Sequence, residues 1–344
     1  MNNYTGKVVY VGIDIHKKTY AITCLCKDER KKVTMQAEHE SLIVYLRKHF
    51  PGAQIKSAYE AGFSGFALHR YLVSQGVENI VVHAASIEIS ARDRVKTDKR
   101  DSLKIAIQLA AGRLKGIHVP SVKREHYREV SRLREKFVKD KKRVGNRLKG
   151  LLHRHGMISA LDERKVSKKW INDLLSKLTN DSLSYCIKMH AMQWLELAKQ
   201  VKDIEKELKT QAGEDSALDK VYQSAPGIGV INARILANEL EDLRHFPNEK
   251  ALSSFTGLTP SEHSSGEHRR QGHISRQGRS QIRKTLLQAA WVAIRKDVSL
   301  KKIFDRVSVT AGKKRAIVGI ARRLIGRIRA CFMTETLYQT GIGI

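Results

Sequence analysis

Within the first 120 residues, short apolar runs rich in β-branched side chains recur between turn signals, a spacing that suits strands and constrains the fold more than any other feature. The run 7–13 (KVVYVGI) ends on Asp14. Residues 20–25 and 31–35 are two further strand candidates, parted by the charged turn Lys27-Asp28-Glu29-Arg30. Leu42, Val44, Tyr45, Leu46 and His49 then take helical spacing, stopped by Pro51-Gly52. Residues 55–59 read as a strand leading into Glu60. Gly62 and Gly65 mark the turn before a helix through Leu68, Tyr71 and Leu72. A strand at 80–82, a basic stretch without clear period over 86–100 and a helix from about 101 to 114 follow. Three strands, then alternating helix and strand, predict a mixed α/β sheet with helices on its faces.

Beyond Pro120 the texture changes. Residues 121–155 carry 13 Lys and Arg against four Asp and Glu. Val130, Leu133 and Phe137, then Val144, Leu148 and Leu151, fall at helical spacing. Trp194, Leu197, Val201, Ile204 and Leu208 alternate steps of three and four, the seam of a coiled coil, with mixed charges between them. These two helices make an antiparallel arm, a dimerising coiled coil, or a pair packed within one domain. From Ser224 a third part begins with Pro226-Gly227-Ile228-Gly229 ahead of an apolar helix. It ends on a stretch, 311–330, that carries seven Lys and Arg and no acid. Lys313, Lys314, Arg315, Arg322, Arg323, Arg327 and Arg329 alternate there with Ile317, Val318, Ile320, Leu324 and Ile328, a helix with one face in a core and one toward phosphate.

The formal net charge is +29, from 64 Lys and Arg against 35 Asp and Glu. A field of that sign attracts polyanions, nucleic acid foremost. No apolar run spans a bilayer, and the first residues lack the apolar stretch of a secretory signal. Cys24, Cys26, Cys186 and Cys331 are scattered, which suits a reducing cytoplasm; Cys24 and Cys26 read as ordinary strand residues.

In so basic a chain, acids at strand ends stand out. Asp14 closes the first strand and Glu60 a later one, while Asp98 and Asp101 can share one face of a helix start. Pairing of the first and fourth strands would make Asp14 and Glu60 neighbours. Clustered carboxylates repel one another unless cations lie between them, and hard divalent cations so held promote attack on a phosphodiester. Each acid taken alone also reads as a strand end, a surface charge or a helix cap.

Pro226-Gly227-Ile228-Gly229 before a helix suits a helix-hairpin-helix element, whose backbone N–H groups receive phosphate; a plain glycine turn accounts for the same residues. The stretch 257–283 is rich in Ser, Gly, His and Arg. A serine among arginines is what a phosphodiester nucleophile needs, and Ser264, Ser265, Ser275 and Ser280 all qualify on chemistry alone. A basic loop touching backbone phosphate would have the same composition.

Taken in order, the motifs resemble one family. They are Gly12-Ile13-Asp14, Tyr59-Glu60-Ala61-Gly62, Lys96-Thr97-Asp98-Lys99-Arg100-Asp101, Pro226-Gly227-Ile228-Gly229, and Phe255-Thr256-Gly257-Leu258-Thr259-Pro260 followed by Ser265-Gly266. From about residue 8 to residue 330 the chain resembles the DEDD transposases of the insertion-sequence-110 family, related to the Piv-type DNA invertases.

That resemblance implies a RuvC-like (RNase H fold) α/β domain over 1–120, with Asp14, Glu60, Asp98 and Asp101 binding Mg2+. It implies a helical coiled-coil region over 121–215 and a mainly α transposase domain over 216–344 with a helix-hairpin-helix-like element. Ser265 would be the nucleophile, although Ser264 directly precedes it. Gly227, Gly229, Arg269, Arg270, Arg276, Arg322, Arg323 and Arg327 are the expected nucleic-acid contacts. The implied partners are donor and target DNA, a guide (bridge) RNA and further copies of the chain, as dimer or tetramer, with no membrane. The expected location is a prokaryotic cytoplasm, at the nucleoid when active. An activated serine would require the tetrad and the Ser265 loop to meet, within one chain or between protomers. The rival functions are a metal-only nuclease of the Holliday-junction resolvase type and a non-catalytic nucleic-acid-binding scaffold.

Overall fold

Eight-residue strands β1 (Val8–Ile15), β2 (Thr19–Cys26) and β3 (Glu29–Gln36) pair antiparallel, and the free edge of β1 takes β4 (Gln54–Glu60) in parallel. With β5 (Glu78–Val82) parallel to β4, the sheet order is β3-β2-β1-β4-β5. The edge strand β3 carries Arg30, Lys31 and Lys32, charges that discourage pairing with a further strand. One sheet face is covered by α1 (His39–His49) and α2 (Ala67–Ser74). Val9, Val11, Ile13 and Tyr59 are buried there with Leu42, Leu46, Leu68 and Leu72. The other face receives α3 (Asp98–Ala110), whose Ile105 is buried with Ala58 and Val82. The sequence places this helix start near 101; in the structure it begins at Asp98, so Asp98 and Asp101 share its first turn.

The computed structural model describes residues 4–27, 29–88, 98–159, 161, 164–262 and 271–341, the side chains of 98, 99 and 271 excepted. It divides into two compact units, Met1–Pro120 and Ser121–Ile344.

The second unit opens on two 33-residue helices, α4 (Val122–Arg154) and α6 (Ser182–Glu214), with the short α5 (Lys168–Leu175) between them. They run antiparallel. Lys123 meets Glu214, Arg134 meets Glu205, and Gly145 lies against Trp194, so positions rise on one helix as they fall on the other. Trp194, Val201 and Leu208 are buried, and Val144 and Leu148 pack in one cluster with Trp194. The seam read as a possible dimerising coiled coil is thus filled from within the chain.

Helices α7 (Ser216–Ser224), α8 (Val230–Leu240), α9 (Glu249–Thr256), α10 (Ser280–Lys296), α11 (Val298–Ala311) and α12 (Lys313–Thr334) enclose the largest core cluster. α4 is tied to α8 by charge. Arg128 donates to the Asn238 carbonyl and Arg132 to the Glu239 carboxylate. The fully buried Arg234 of α8 pairs with Asp219 at 2.7 Å and Asp215 at 3.1 Å. Burial pushes the Asp219 carboxyl up to about 6 against the opposing pull of Arg234. No helix among the described residues is long and apolar enough to cross a membrane.

Between α9 and α10 lies a short antiparallel hairpin, β6 (Pro260–Glu262) and β7 (Gln271–Ile274), in a stretch read from sequence only as a polar loop.

Candidate active site and nucleic-acid-binding residues

The parallel register of β1 and β4 runs to Ile13 opposite Tyr59. The next residues, Asp14 and Glu60, therefore sit side by side at the carboxyl ends of neighbouring parallel strands, where open α/β sheets place their ligands. Side chains alternate between faces. Since Val11, Ile13 and Tyr59 face α1 and α2, Gly12, Asp14, Ala58 and Glu60 face α3.

That helix lies directly on the strand. A Cβ on Gly12 would come within 2.1 Å of the Ser102 carbonyl oxygen and 2.5 Å of the Ala106 nitrogen. The Ser102 hydroxyl meets that of Thr23, the β2 partner of Gly12, at 2.9 Å. α3 thus crosses from β2 toward β4 and β5, and Asp101 directly precedes its contact residue Ser102.

The acids are accessible but not all gathered. Glu60 is exposed, and Asp14 and Asp101 are partly so. Asp101 lies 3.3 Å from Lys104 on its own helix. Among the described residues no three His, Cys, Asp or Glu side chains are grouped closely enough to share an ion. The side chain of Asp98 lies outside the described residues. The donor chemistry, all carboxylate, is of the kind a hard divalent cation takes, and Asp14 and Glu60 are the two such groups that the strand pair brings side by side. Sequence reasoning missed His16, whose Nε2 lies 3.2 Å from the Asp14 carboxylate. Its position two residues after Asp14 was the available signal, because residues two apart share a strand face. Cys24 and Cys26 are buried in β2, and burial holds the Cys24 thiol up at about 12, an inert strand residue.

Ser264, Ser265, Arg269 and Arg270 fall in 263–270, outside the described residues. Pro260 pairs with Ile274 and Glu262 with Gln271, so 263–270 is the connection of the β6–β7 hairpin. The base of the hairpin is held by the Ser275 N–H donating to the Thr259 carbonyl at 2.8 Å. Arg276 is exposed with φ +56°, and its N–H donates to Gly257. Ser280 opens α10, its hydroxyl 3.4 Å from Glu135 of α4.

The turn between α7 and α8 puts Gly227 at φ +86°, and a Cβ there would sit 2.8 Å from the Ala289 carbonyl oxygen of α10. Gly227 is therefore required by backbone conformation and by packing. Gly229 is exposed, caps α8 and has open space around it. On α12, Arg322 is half-buried and Arg323 exposed. Arg327 departs from the expected phosphate contact. It is buried, donates to Asp297 at 2.8 Å, to Ser299 at 2.9 Å and to Tyr338 at 3.1 Å, and its charge is spent inside the unit. Arg329 likewise turns to the Phe246 carbonyl.

Comparison with known proteins adds two matches to this geometry. A transposase model of the DEDD type for IS110 elements matches residues 11–157, and one described as "Transposase IS116/IS110/IS902 family" matches residues 219–305; together they span more than half the chain. The transposase for insertion sequence element IS1111A of Coxiella burnetii is 24% identical over an alignment covering 96% of this chain and 91% of that protein. A putative transposase, y4rJ, of Sinorhizobium fredii is 28% identical, covering 83% of this chain and 81% of its own length. The transposase for insertion sequence element IS1533 of Leptospira borgpetersenii is 28% identical over 72% of this chain and 74% of its own. Membership of a DEDD group suggests use of a divalent metal. A strongly basic chain with strand-end carboxylates, matched along its length by these transposases, belongs to the IS110 family of transposases.

Proposed function

We propose that this transposase is a magnesium-dependent recombinase that moves a mobile element, cutting and rejoining donor and target DNA through a phosphoserine intermediate under the direction of a guide (bridge) RNA. The observation that carries the reading is the adjacency of Asp14 and Glu60 at the ends of parallel strands, on the face crossed by α3. The strand order β3-β2-β1-β4-β5, antiparallel then parallel, supports a RuvC-like (RNase H fold) identity for residues 1–120. Within the second unit, residues 121–215 would act as the helical arm and 216–344 as the transposase domain, with α7 and α8 as its helix-hairpin-helix-like element.

In this proposal Asp14, Glu60, Asp98 and Asp101 hold the ion, which when bound neutralises charge developing on the scissile phosphate. Ser265 Oγ attacks phosphorus and gives up its proton to solvent. The phosphodiester oxygen that leaves takes one, and a serine–phosphate ester remains. A hydroxyl on the joining DNA strand attacks that ester in turn and returns the serine, so the bond energy is conserved and no nucleotide triphosphate is consumed. Arg269, Arg270, Arg276, Arg322 and Arg323, with the turn at Gly227 and Gly229, would meet phosphate. The RNA guide rests on family resemblance. So does assembly as a dimer or tetramer, which gains support from an outward apolar stripe on α6, Tyr185, Met189 and Met192, all exposed. The setting would be a prokaryotic cytoplasm, at the nucleoid during transposition.

Strand cleavage of DNA from the element's ends tests the reading. Asp14→Ala or Glu60→Gln should abolish cleavage and leave nucleic-acid binding within about twofold, since neither acid is asked to hold phosphate directly. Cleavage at the wild-type rate in a chelator, or in Asp14→Ala, would overturn it. Recombination that survives complete digestion of RNA would remove the guide from the proposal.

A further inference from the structure

Beside the β6–β7 hairpin lies a cavity of about 460 Å³ whose walls come from that hairpin, α11, α12 and the turn after α9. Its volume falls within the roughly 300–1,000 Å³ that small-ligand sites occupy. The walls divide by chemistry. Leu258, Ile274, Ile303, Val307 and Val318 supply an aliphatic lining. Lys314, Arg315, Arg322 and Arg323 supply charge beside the His273 ring, and among the described residues no carboxylate lines the cavity. Among the described residues, none of the four Lys and Arg side chains has a carboxylate partner.

Two of these cations occupy an electrostatically poor place. Lys314 and Arg315, with Lys313, form the first turn of α12, and that turn holds no acid. Unsatisfied N–H groups already make a helix N-terminus positive, so three further cations there repel it and one another. An anion in the cavity would reverse the sign of that interaction. An inorganic anion would leave the aliphatic lining unused, and a paired duplex keeps its bases stacked and out of reach of such a recess. A base pulled out of its stack offers both a flat apolar face and flanking phosphates, and guanidinium planes as well as aliphatic groups can cover it.

We propose that the cavity binds one unpaired nucleotide of a DNA strand, its base against the aliphatic lining and its flanking phosphates on Lys314, Arg315 and Arg322. The choice of DNA rests on the function proposed above. Pro260, Gly272, His273 and Ile274 of the cavity belong to the hairpin whose connection carries Ser265, the residue assigned to attack DNA.

Gly319 provides a clean obstruction. It lies on the cavity wall in α12, and a Cβ there meets nothing within 4 Å. Gly319→Phe should place a ring on this wall from a Cβ that meets no neighbour, and Gly319→Ala serves as its small control. The experiment measures binding of the full chain carrying Ser265→Ala, without metal, to two DNA duplexes that differ in a one-nucleotide bulge: one bears a base, the other an abasic residue. A preference of roughly tenfold for the base is expected, in line with the worth of a base contact in single-strand binding proteins. Gly319→Phe should erase the preference and leave the affinity for fully paired DNA unchanged, and Gly319→Ala should keep it. Val318→Asp, which sets a carboxylate on the same wall, should erase it by a different route. Equal affinity for base and abasic bulges, or a preference that survives Gly319→Phe, would overturn the proposal. A preference found only in the matching RNA bulge would overturn its assignment to DNA. Because binding is read without cleavage, a base preference in a protein that never cuts DNA would keep the cavity and reject the recombinase. Cleavage by the Ser265-bearing chain with no base preference would do the reverse.

Discussion

At Gly12 the strand and the helix laid over it approach too closely for any side chain, and this contact holds α3 against the end of β1 that carries Asp14. Gly12→Ala should cost about 1–3 kcal/mol, the usual penalty of overpacking, read as a lower denaturant midpoint. Cleavage should fall further than stability predicts, since α3 carries Asp98 and Asp101. An unchanged midpoint would mean that α3 does not lie on Gly12. Arg327 differs from its neighbours on α12. Arg327→Gln should destabilise the fold by about 3–5 kcal/mol, because Asp297 would be left buried without its cation. Asp14 and Glu60 were legible as acids closing apolar runs. The role of Gly12 was not, because its reason lies in Ser102 and Ala106, some ninety residues along the chain. Arg327 fits the basic stripe as well as Arg323 does; only Asp297, thirty residues earlier, separates them.

Among elements, α6 depends on a cap that titrates. Asp181 accepts from the Ser184 N–H at 2.8 Å and from the Thr179 hydroxyl, which together hold its carboxyl down at about 2 against an ordinary 3.8. The unfolded chain therefore takes up this proton first. The stabilisation is complete above pH 3.8 and is lost as pH falls toward 2. Melting of wild type against Asp181→Asn should show a gap at pH 5 that narrows by pH 2.5; a constant gap would contradict the capping role. The ion network joining α4, α7 and α8 is a second dependence. Asp219→Ala should cost about 3–5 kcal/mol by leaving the fully buried Arg234 short of its nearest partner, and chemical denaturation would measure it. The strands of the first unit were legible because β-branched runs of five to eight residues alternate with turns. The β6–β7 hairpin was not: Pro-Ser-Glu and Gln-Gly-His-Ile are too short and polar to show a period. The seam from Trp194 to Leu208 was legible as a seam. Its partner was not, since a heptad pattern does not tell a helix of the same chain from one of another.

Over the whole molecule, a net charge of +29 makes binding to nucleic acid an ion-exchange process. Affinity should fall steeply with salt, and Arg322→Gln should lower the log–log slope by about 1 while Arg327→Gln leaves it unchanged. Equal effects of the two would contradict the different placements of these side chains. Charge explains attraction to DNA but not what is done there; that depends on whether a serine in the hairpin connection becomes esterified to phosphate. The most direct measurement traps the reaction on a nicked suicide DNA substrate, digests the protein and maps the attached nucleotide by mass spectrometry. Attachment at Ser265, absent in Ser265→Ala and in Asp14→Ala, is the expected result. Attachment at Ser264 would move the nucleophile by one residue. Cleavage with no protein–DNA adduct at all would contradict the account and leave a nuclease that works through its carboxylates alone.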